Sequence, residues 1–317
     1  MTTNRVIAAL PALVRPLIEA QLPGWVEPRW FMTKAEAFTA GEGAEIGWFD
    51  MYDKVDMAAA IENARGLKWL NSIYAGVDGM PLDWLAKQQV IYTNGAGINA
   101  ITIAEYVVMA MLTVAKGYRE VVYAQQRREW LQDSPGKIEL AGSRALILGY
   151  GAIGKLIETR LRAFDVDVSV VRRTPDGGAV LGPDDWRARL GEFDWVILAV
   201  PATPETDAMI GADEMTAMKS SAVLINIARG SVVDQDALIE ALRAKSIGAA
   251  FLDVTTPEPL PADHTLWTLD NAHITMHLSG RAQDKMYVRS AQRFLQNLER
   301  YGRHEPLAHQ VDYARGY

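Results

Sequence analysis

The sequence predicts an α/β protein built on two doubly wound parallel sheets, and three observations carry that expectation. Its 317 residues fit two domains at roughly 150 residues each. Short apolar runs alternate with helical patterns in two series, one up to about Asn94 and another from Ser143. Parallel neighbours need a crossover connection, so repeated strand–helix alternation implies parallel sheets covered on both faces. Finally, Gly149-Tyr150-Gly151-Ala152-Ile153-Gly154 lies directly after a buried-strand pattern and directly before a helical one.

In the first series, residues 5–10, 45–49, 67–74 and 90–93 read as strands. Arg5 and the apolar residues after it imitate a signal peptide. Pro11 and Arg15-Pro16 interrupt that run and no small-x-small site follows, so a first strand is the better reading. Residues 101–117 form an apolar stretch rich in Ala, Met and Leu, too long for a typical strand, and predict a buried helix. Residues 125–136 are polar, with Pro135-Gly136 as punctuation, and predict an exposed arm or turn. The second series predicts strands at 145–148, 167–171, 195–200, 222–227, 249–254 and 274–276. An amphipathic helix is expected over 283–301, followed by a polar tail laid on a surface.

Composition narrows the function classes. With 49% hydrophobic and 22% charged residues the chain sits near globular averages, which argues against disorder and long coiled coils. A formal charge of −7 repels phosphate backbones and anionic lipid surfaces, so neither nucleic acid nor membrane is an expected partner. The longest apolar run, residues 106–115, is far short of the roughly 20 residues that cross a bilayer. Zero cysteines exclude disulfides, thiolate metal sites and a Cys nucleophile, and the cytoplasm is the default compartment. No HxxxH motif or carboxylate cluster at ligand spacing occurs, so no metal is expected.

The glycine motif points to a dinucleotide. Gly149 permits the tight turn, Gly151 lets a pyrophosphate approach the backbone, and Gly154 lets the helix pack on the strand. The helix N-terminus, with Ala152 and Ile153, then faces the phosphates. An isolated motif could be a plain glycine-rich turn; the strand, helix and βαβ spacing favour the ligand. At the end of the second strand, beside the adenosine ribose, the usual acid is missing and the chain reads Arg172-Arg173-Thr174. An acid would repel a 2′-phosphate, whereas paired guanidinium groups bind one, so NADP(H) is expected over NAD(H). The bland alternative is a pair of solvated arginines.

Three further strand ends each carry a polar residue of catalytic type: Arg229 before Gly230, Glu258 in the loop Pro257-Glu258-Pro259-Leu260-Pro261, and His277. Strand ends are where an open parallel sheet presents its ligand groups. Hydride from a nicotinamide places negative charge on a carbonyl oxygen as it arrives, so a cation and a proton donor beside such an oxygen lower the barrier. A neighbouring carboxylate favours the imidazolium and fixes its ring, the role expected of Glu258.

With these segments in hand, and with Ala75-Gly76-Val77-Asp78, Asn94-Gly95, Ala104-Glu105 and Glu139-Leu140-Ala141-Gly142, the chain resembles the D-isomer-specific 2-hydroxyacid dehydrogenase family over nearly its whole length, including the glyoxylate/hydroxypyruvate reductase branch. The resemblance implies a Rossmann cofactor domain, residues 100–283, inserted into a flavodoxin-like substrate domain of residues 1–99 plus 284–317. It implies a homodimer built through the linking helix and the arm after it. Carried over by position, Arg229 binds the substrate's carboxylate and carbonyl, His277 is the general acid/base and Glu258 pairs with it. The backbone around Ala75, Gly76 and Val77 takes the substrate carboxylate, with Tyr74 and Met51 as pocket residues. Val200, Pro201, Thr203 and Thr206 match the loop covering the cofactor. Ile227, Ala228, Arg229, His277 and Gly280 complete the cofactor contacts, and Asp253 matches a residue facing the nicotinamide amide.

Two departures stand out: Met276 replaces the proline that commonly precedes the family histidine, and Thr255-Thr256 replaces an aromatic-acidic pair. Both bear on substrate choice, since neither removes a reacting group. His264, His273, His304 and His309 keep an ordinary surface or core reading, and Trp130 in the arm is a packing residue or one that reaches a partner subunit. The expected activity is NADPH-dependent reduction of a 2-keto acid such as glyoxylate or hydroxypyruvate. The competing readings are a cofactor-sensing protein of the corepressor type and a formate-dehydrogenase-like enzyme; for the latter a Gln would be expected as the histidine's partner, and Glu258 counts against it.

Overall fold

The computed structural model describes residues 5–173, 180–281 and 283–314. The chain divides into two compact units, Met1–Asn99 with Ala282–Tyr317, and Ala100–Arg281.

The first unit holds five parallel strands, β1 (Val6–Pro11), β2 (Val26–Phe31), β3 (Ile46–Gly47), β4 (Trp69–Asn71) and β5 (Ile91–Thr93), in the order β2-β1-β3-β4-β5. Successive residues of β1 alternate faces: Ala9 joins a core with Ala37, Met57 and Ile61 of the helices Lys34–Gly41 and Lys54–Asn63. Ala8 and Leu10 join Trp48, Trp69 and Phe294, the last from the helix Gln283–Gly302. Strand β2 is absent from the sequence pattern because Pro28 and its polar neighbours mask it. Its edge position, paired with β1 alone, is where a strand tolerates a proline. The tail does more than lie on a surface. Val311 N donates to Tyr92 O at 2.8 Å and Asn94 N to His309 O at 3.1 Å, so the tail covers the open edge of β5.

The second unit holds seven parallel strands: β6 (Arg144–Leu148), β7 (Asp167–Val171), β8 (Val180–Leu181), β9 (Trp195–Leu198), β10 (Val223–Asn226), β11 (Ala249–Leu252) and β12 (Ala272–Ile274). Their order is β12-β11-β10-β9-β6-β7-β8, so the winding reverses between β6 and β9. One face packs on the helices Ala100–Ala115 and Ala152–Arg162 through Val107, Met111, Ile147 and Ile157. The other face packs Leu146, Leu148, Leu224 and Leu252 against Trp186, Leu238 and Leu242. The two-residue β8 is too short to leave a pattern. The last strand ends at Ile274, two residues before the expected limit, and Met276 and His277 follow with φ of 55° and 56°. The segment expected as an arm begins as the end of the helix Tyr118–Arg127. No single helix among the described residues is long and apolar enough to cross a membrane.

His273, on β12, stacks on Phe251 at 5.9 Å, with Arg119 bound to the neighbouring Ala272 carbonyl at 2.9 Å. Burial, with Arg119 adding to it, lowers the imidazole to about 4. The unfolded chain, titrating near 6.5, therefore binds the extra proton first on acidification. This contribution to stability is complete above about pH 6.5 and declines as pH falls toward 4. Urea midpoints measured across that window should drop with pH, and His273→Gln should flatten the slope. An unchanged slope in the variant would show that His273 does not contribute.

Candidate active site

The glycine loop occupies the winding reversal. Gly149 has φ +102°, and a side chain there would place its Cβ 2.5 Å from the Ala199 carbonyl oxygen at the end of β9. At Gly154 a Cβ would lie 2.2 Å from the Gly149 carbonyl, which fixes the helix against the loop. At Gly151, by contrast, a Cβ would meet nothing within 4 Å, and this residue caps the helix Ala152–Arg162 with no side-chain acceptor. Two glycines are thus required by close approach, while the middle one opens the backbone beside the first-turn amides of Ala152, Ile153 and Gly154. That arrangement fits the pyrophosphate of a dinucleotide.

Around it, Arg172 and Arg173 follow β7 directly, with Arg172 N bound to Leu181 O at 3.2 Å. Thr174 lies outside the described residues. Val200 and Pro201 follow β9, and Thr206 closes their loop by donating to the Pro201 carbonyl at 2.7 Å while accepting from Thr203 N at 2.9 Å. The Thr203 hydroxyl and, to a smaller extent, the Arg173 guanidinium hold Glu205 below the usual carboxylate range. Arg173 therefore lies within electrostatic reach of the Thr203 loop.

The second cluster joins three strand ends of the same unit. After β10, buried Asn226 clamps the turn: its Oδ1 accepts from Ala228 N at 3.0 Å and its Nδ2 donates to Arg229 O at 2.9 Å. Ile227 and Ala228 are buried within that turn, while Arg229 is half-buried and donates from Nη1 to the Ala228 carbonyl at 2.7 Å. Gly230 brings this turn against the next loop, since a Cβ there would lie 2.1 Å from the Thr255 carbonyl. Thr255 N donates to Glu258 Oε1 at 3.1 Å, and Glu258 Oε2 meets His277 Nδ1 at 2.8 Å. The bond at Nδ1 fixes the ring and leaves Nε2 as its other donor or acceptor.

His277 sits in the left-handed region, where a non-glycine residue is strained and needs surrounding support. Asp253 supplies it. This buried carboxylate accepts from Thr275 Oγ1 at 2.8 Å and Leu278 N at 2.9 Å, and from Ser279 N at 3.2 Å. Its carbonyl accepts from His277 N at 2.5 Å. Gly280 follows, half-buried. From sequence Asp253 is expected only as a cofactor contact, and the loop it holds is not visible there. Asn226 is missed in the same way, although an Asn two residues before an apolar-to-Arg turn has the reach for such a clamp.

In the first unit, Tyr74 donates from its hydroxyl to Met51 O at 3.0 Å, and Lys54 Nζ stands 3.4 Å from its ring centroid. Asn94 Nδ2 holds the Ala75 carbonyl at 2.8 Å. No described residue accepts a hydrogen bond from the amides of Ala75, Gly76 or Val77. Among the described residues no cluster of three or more His, Asp or Glu could hold a metal ion.

Known proteins carry the same architecture. Residues 108–279 match the family model for the NAD binding domain of D-isomer specific 2-hydroxyacid dehydrogenases. Human glyoxylate reductase/hydroxypyruvate reductase is 31% identical over 266 residues, covering 80% of each chain. A D-isomer specific 2-hydroxyacid dehydrogenase family protein of Aeromonas salmonicida superposes with a TM-score of 0.87 at 29% identity, over 98% of this chain and 99% of that one. Another such dehydrogenase, from Xanthobacter autotrophicus and solved in complex with NADPH and MES, gives 0.78 at 26% identity, over 98% and 100%. A two-sheet fold, a glycine loop at the winding reversal and this degree of likeness across the chain leave one assignment: the protein belongs to the D-isomer specific 2-hydroxyacid dehydrogenases, a family of NAD(P)-binding oxidoreductases.

Proposed function

We propose that the protein reduces a short 2-keto acid, of the glyoxylate or hydroxypyruvate kind, to the D-2-hydroxy acid with NADPH. The observation that carries this reading is the His277–Glu258 contact of 2.8 Å, with the Arg229 turn pressed against the same loop at Gly230. Gly149, Gly151, Gly154 and the Thr203 loop would hold the cofactor, which when bound would supply the hydride for the carbonyl carbon. Arg229 stabilises the negative charge growing on the carbonyl oxygen. His277 gives that oxygen its proton from Nε2, which completes the alcohol and leaves a neutral imidazole on Glu258. The amides of Ala75, Gly76 and Val77 receive the substrate carboxylate, with Tyr74 and Met51 beside them. In the oxidation direction neutral His277 accepts the proton instead.

Arg172 and Arg173 support NADPH over NADH, because guanidinium groups at the end of β7 suit a 2′-phosphate. The reading extends to a homodimer working in the cytoplasm. Exposed Tyr118, Val121, Trp130, Leu131 and Ile138, which follow the linking helix, support an interface there.

Absorbance at 340 nm tests the assignment, using NADPH and then NADH against keto acids from glyoxylate to phenylpyruvate. Turnover with a preference for NADPH is expected. Replacing both arginines, R172E together with R173E, should raise the KM for NADPH about 10- to 100-fold and leave that for NADH nearly unchanged. Equal losses with both cofactors would reject the 2′-phosphate role. Tight NADPH binding without turnover on any keto acid would replace the reductase reading with a cofactor sensor.

A further inference from the structure

Asp50, just past β3, is a carboxylate that no catalytic role has claimed. Three donors converge on it at 2.6 Å each: Ser72 Oγ on Oδ1, and Ile73 N and Trp48 Nε1 on Oδ2. Ser72 Oγ in turn accepts from Tyr74 N at 3.1 Å. The chain of bonds therefore runs from Asp50 through Ser72 into the residue that opens the 75–77 turn. Lys54, beside Asp50 and over the Tyr74 ring, provides the opposite charge. Burial nevertheless pushes the Asp50 carboxyl up from its ordinary value, against the pull of these partners.

The far side of the turn is held separately. Asn94 Nδ2 binds Ala75 O, Gly95 N binds Tyr74 O at 2.7 Å, and Arg293 Nη1 binds Ala96 O at 2.6 Å. At Gly95 a Cβ would lie 1.8 Å from Ile73 O, so the two segments touch through bare backbone. Between these two anchors lie the amides of Ala75, Gly76 and Val77, for which no described residue is an acceptor. A half-buried carboxylate is a costly way to satisfy a core tryptophan. Its charge-assisted bonds are short and directional, which suits fixing a backbone whose amides must converge on an anion.

We propose that Asp50 is a positioning residue for the substrate: through Ile73 and the Ser72–Tyr74 link it sets the backbone that presents the 75–77 amides to the substrate carboxylate. This rests on the assignment of that turn under the proposed function. Asp50 never touches the substrate, so its removal should weaken binding of the carboxylate far more than it slows the chemistry.

Asp50→Asn keeps the size and loses the charge. In one orientation the new amide turns its N–H2 group on Ile73 N and Trp48 Nε1; in the other its oxygen keeps those two donors but its N–H2 group donates to Ser72 Oγ, which reverses that bond and takes the negative charge from the link to Tyr74. The full chain carrying this change should show a KM for the keto acid at least about 10-fold higher, with kcat within about threefold and NADPH affinity unchanged. The dissociation constant of oxalate, an unreactive dicarboxylate, measured by calorimetry with NADP+ present, should rise in parallel. Ser72→Ala, which breaks only the link to Tyr74, should give a smaller shift of the same kind. A folded Asp50→Asn protein with unchanged KM and oxalate affinity overturns the proposal, as does a uniform loss that includes NADPH affinity. Should Asp50→Asn fail to fold, Ser72→Ala decides, and an unchanged KM there overturns it. An unsubstituted protein that neither turns over keto acids nor binds oxalate removes the functional reading itself, and this inference with it.

Discussion

His277→Ala should lower kcat for keto acid reduction by about 10²- to 10⁴-fold while leaving the dissociation constant for NADPH within about twofold. The two halves of this expectation come from different parts of the second unit. In the proposed function, proton transfer rests on one imidazole, placed by Glu258 at 2.8 Å and by the Asp253 loop beneath it. Cofactor binding, in the same proposal, rests on the glycine loop after β6 and the arginines after β7, at other strand ends of the sheet. Single-turnover absorbance measures the first and fluorescence titration the second. Glu258→Gln should cost less than His277→Ala, because the amide can still hold the ring at Nδ1 while lacking the carboxylate's charge. Unchanged kcat in His277→Ala would remove the proton-transfer role, and loss of NADPH binding would show that the residue holds the loop instead.

The parts of this molecule that sequence discloses are those whose physics is local. Apolar runs such as residues 145–148 and 195–198 register burial directly, and the glycine spacing at 149–154 registers a backbone approach that only glycine tolerates. Arg229, Glu258 and His277 stand out because each terminates a strand pattern. Long-range polar bonding is not legible. Asp50 finds Ser72 and Ile73 across a helix and a strand, and Asp253 finds Leu278 and Ser279 across another crossover. Nothing in the spacing of those residues announces the pairing, because crossover length is set by packing. Strand β2 is hidden for a third reason: an edge strand needs neither an uninterrupted apolar pattern nor every N–H, and Pro28 exploits both allowances.

Arg229→Ala should reduce kcat/KM for the keto acid by about 10³- to 10⁵-fold, combining a lost transition-state donor with a lost charge-assisted contact to the substrate. The effect should divide between kcat and KM, unlike that of His277→Ala, because in the proposed function the guanidinium meets the carbonyl oxygen as charge develops and the carboxylate throughout. Arg229→Lys keeps the charge yet should recover only a minor share. One N–H of the native fork is bound to the Ala228 carbonyl at 2.7 Å, and the clamp of Asn226 on the same turn holds the fork's base. An ammonium on a flexible stem cannot bind that carbonyl and span two substrate groups in a fixed plane. Added guanidinium ion should restore part of the Arg229→Ala rate, since the bonds by which Asn226 holds the turn go to backbone atoms and do not use the Arg229 side chain. Full activity in Arg229→Lys would mean that charge alone suffices. A pure KM effect in Arg229→Ala would confine the residue to the carboxylate and shift stabilisation of the oxygen onto His277.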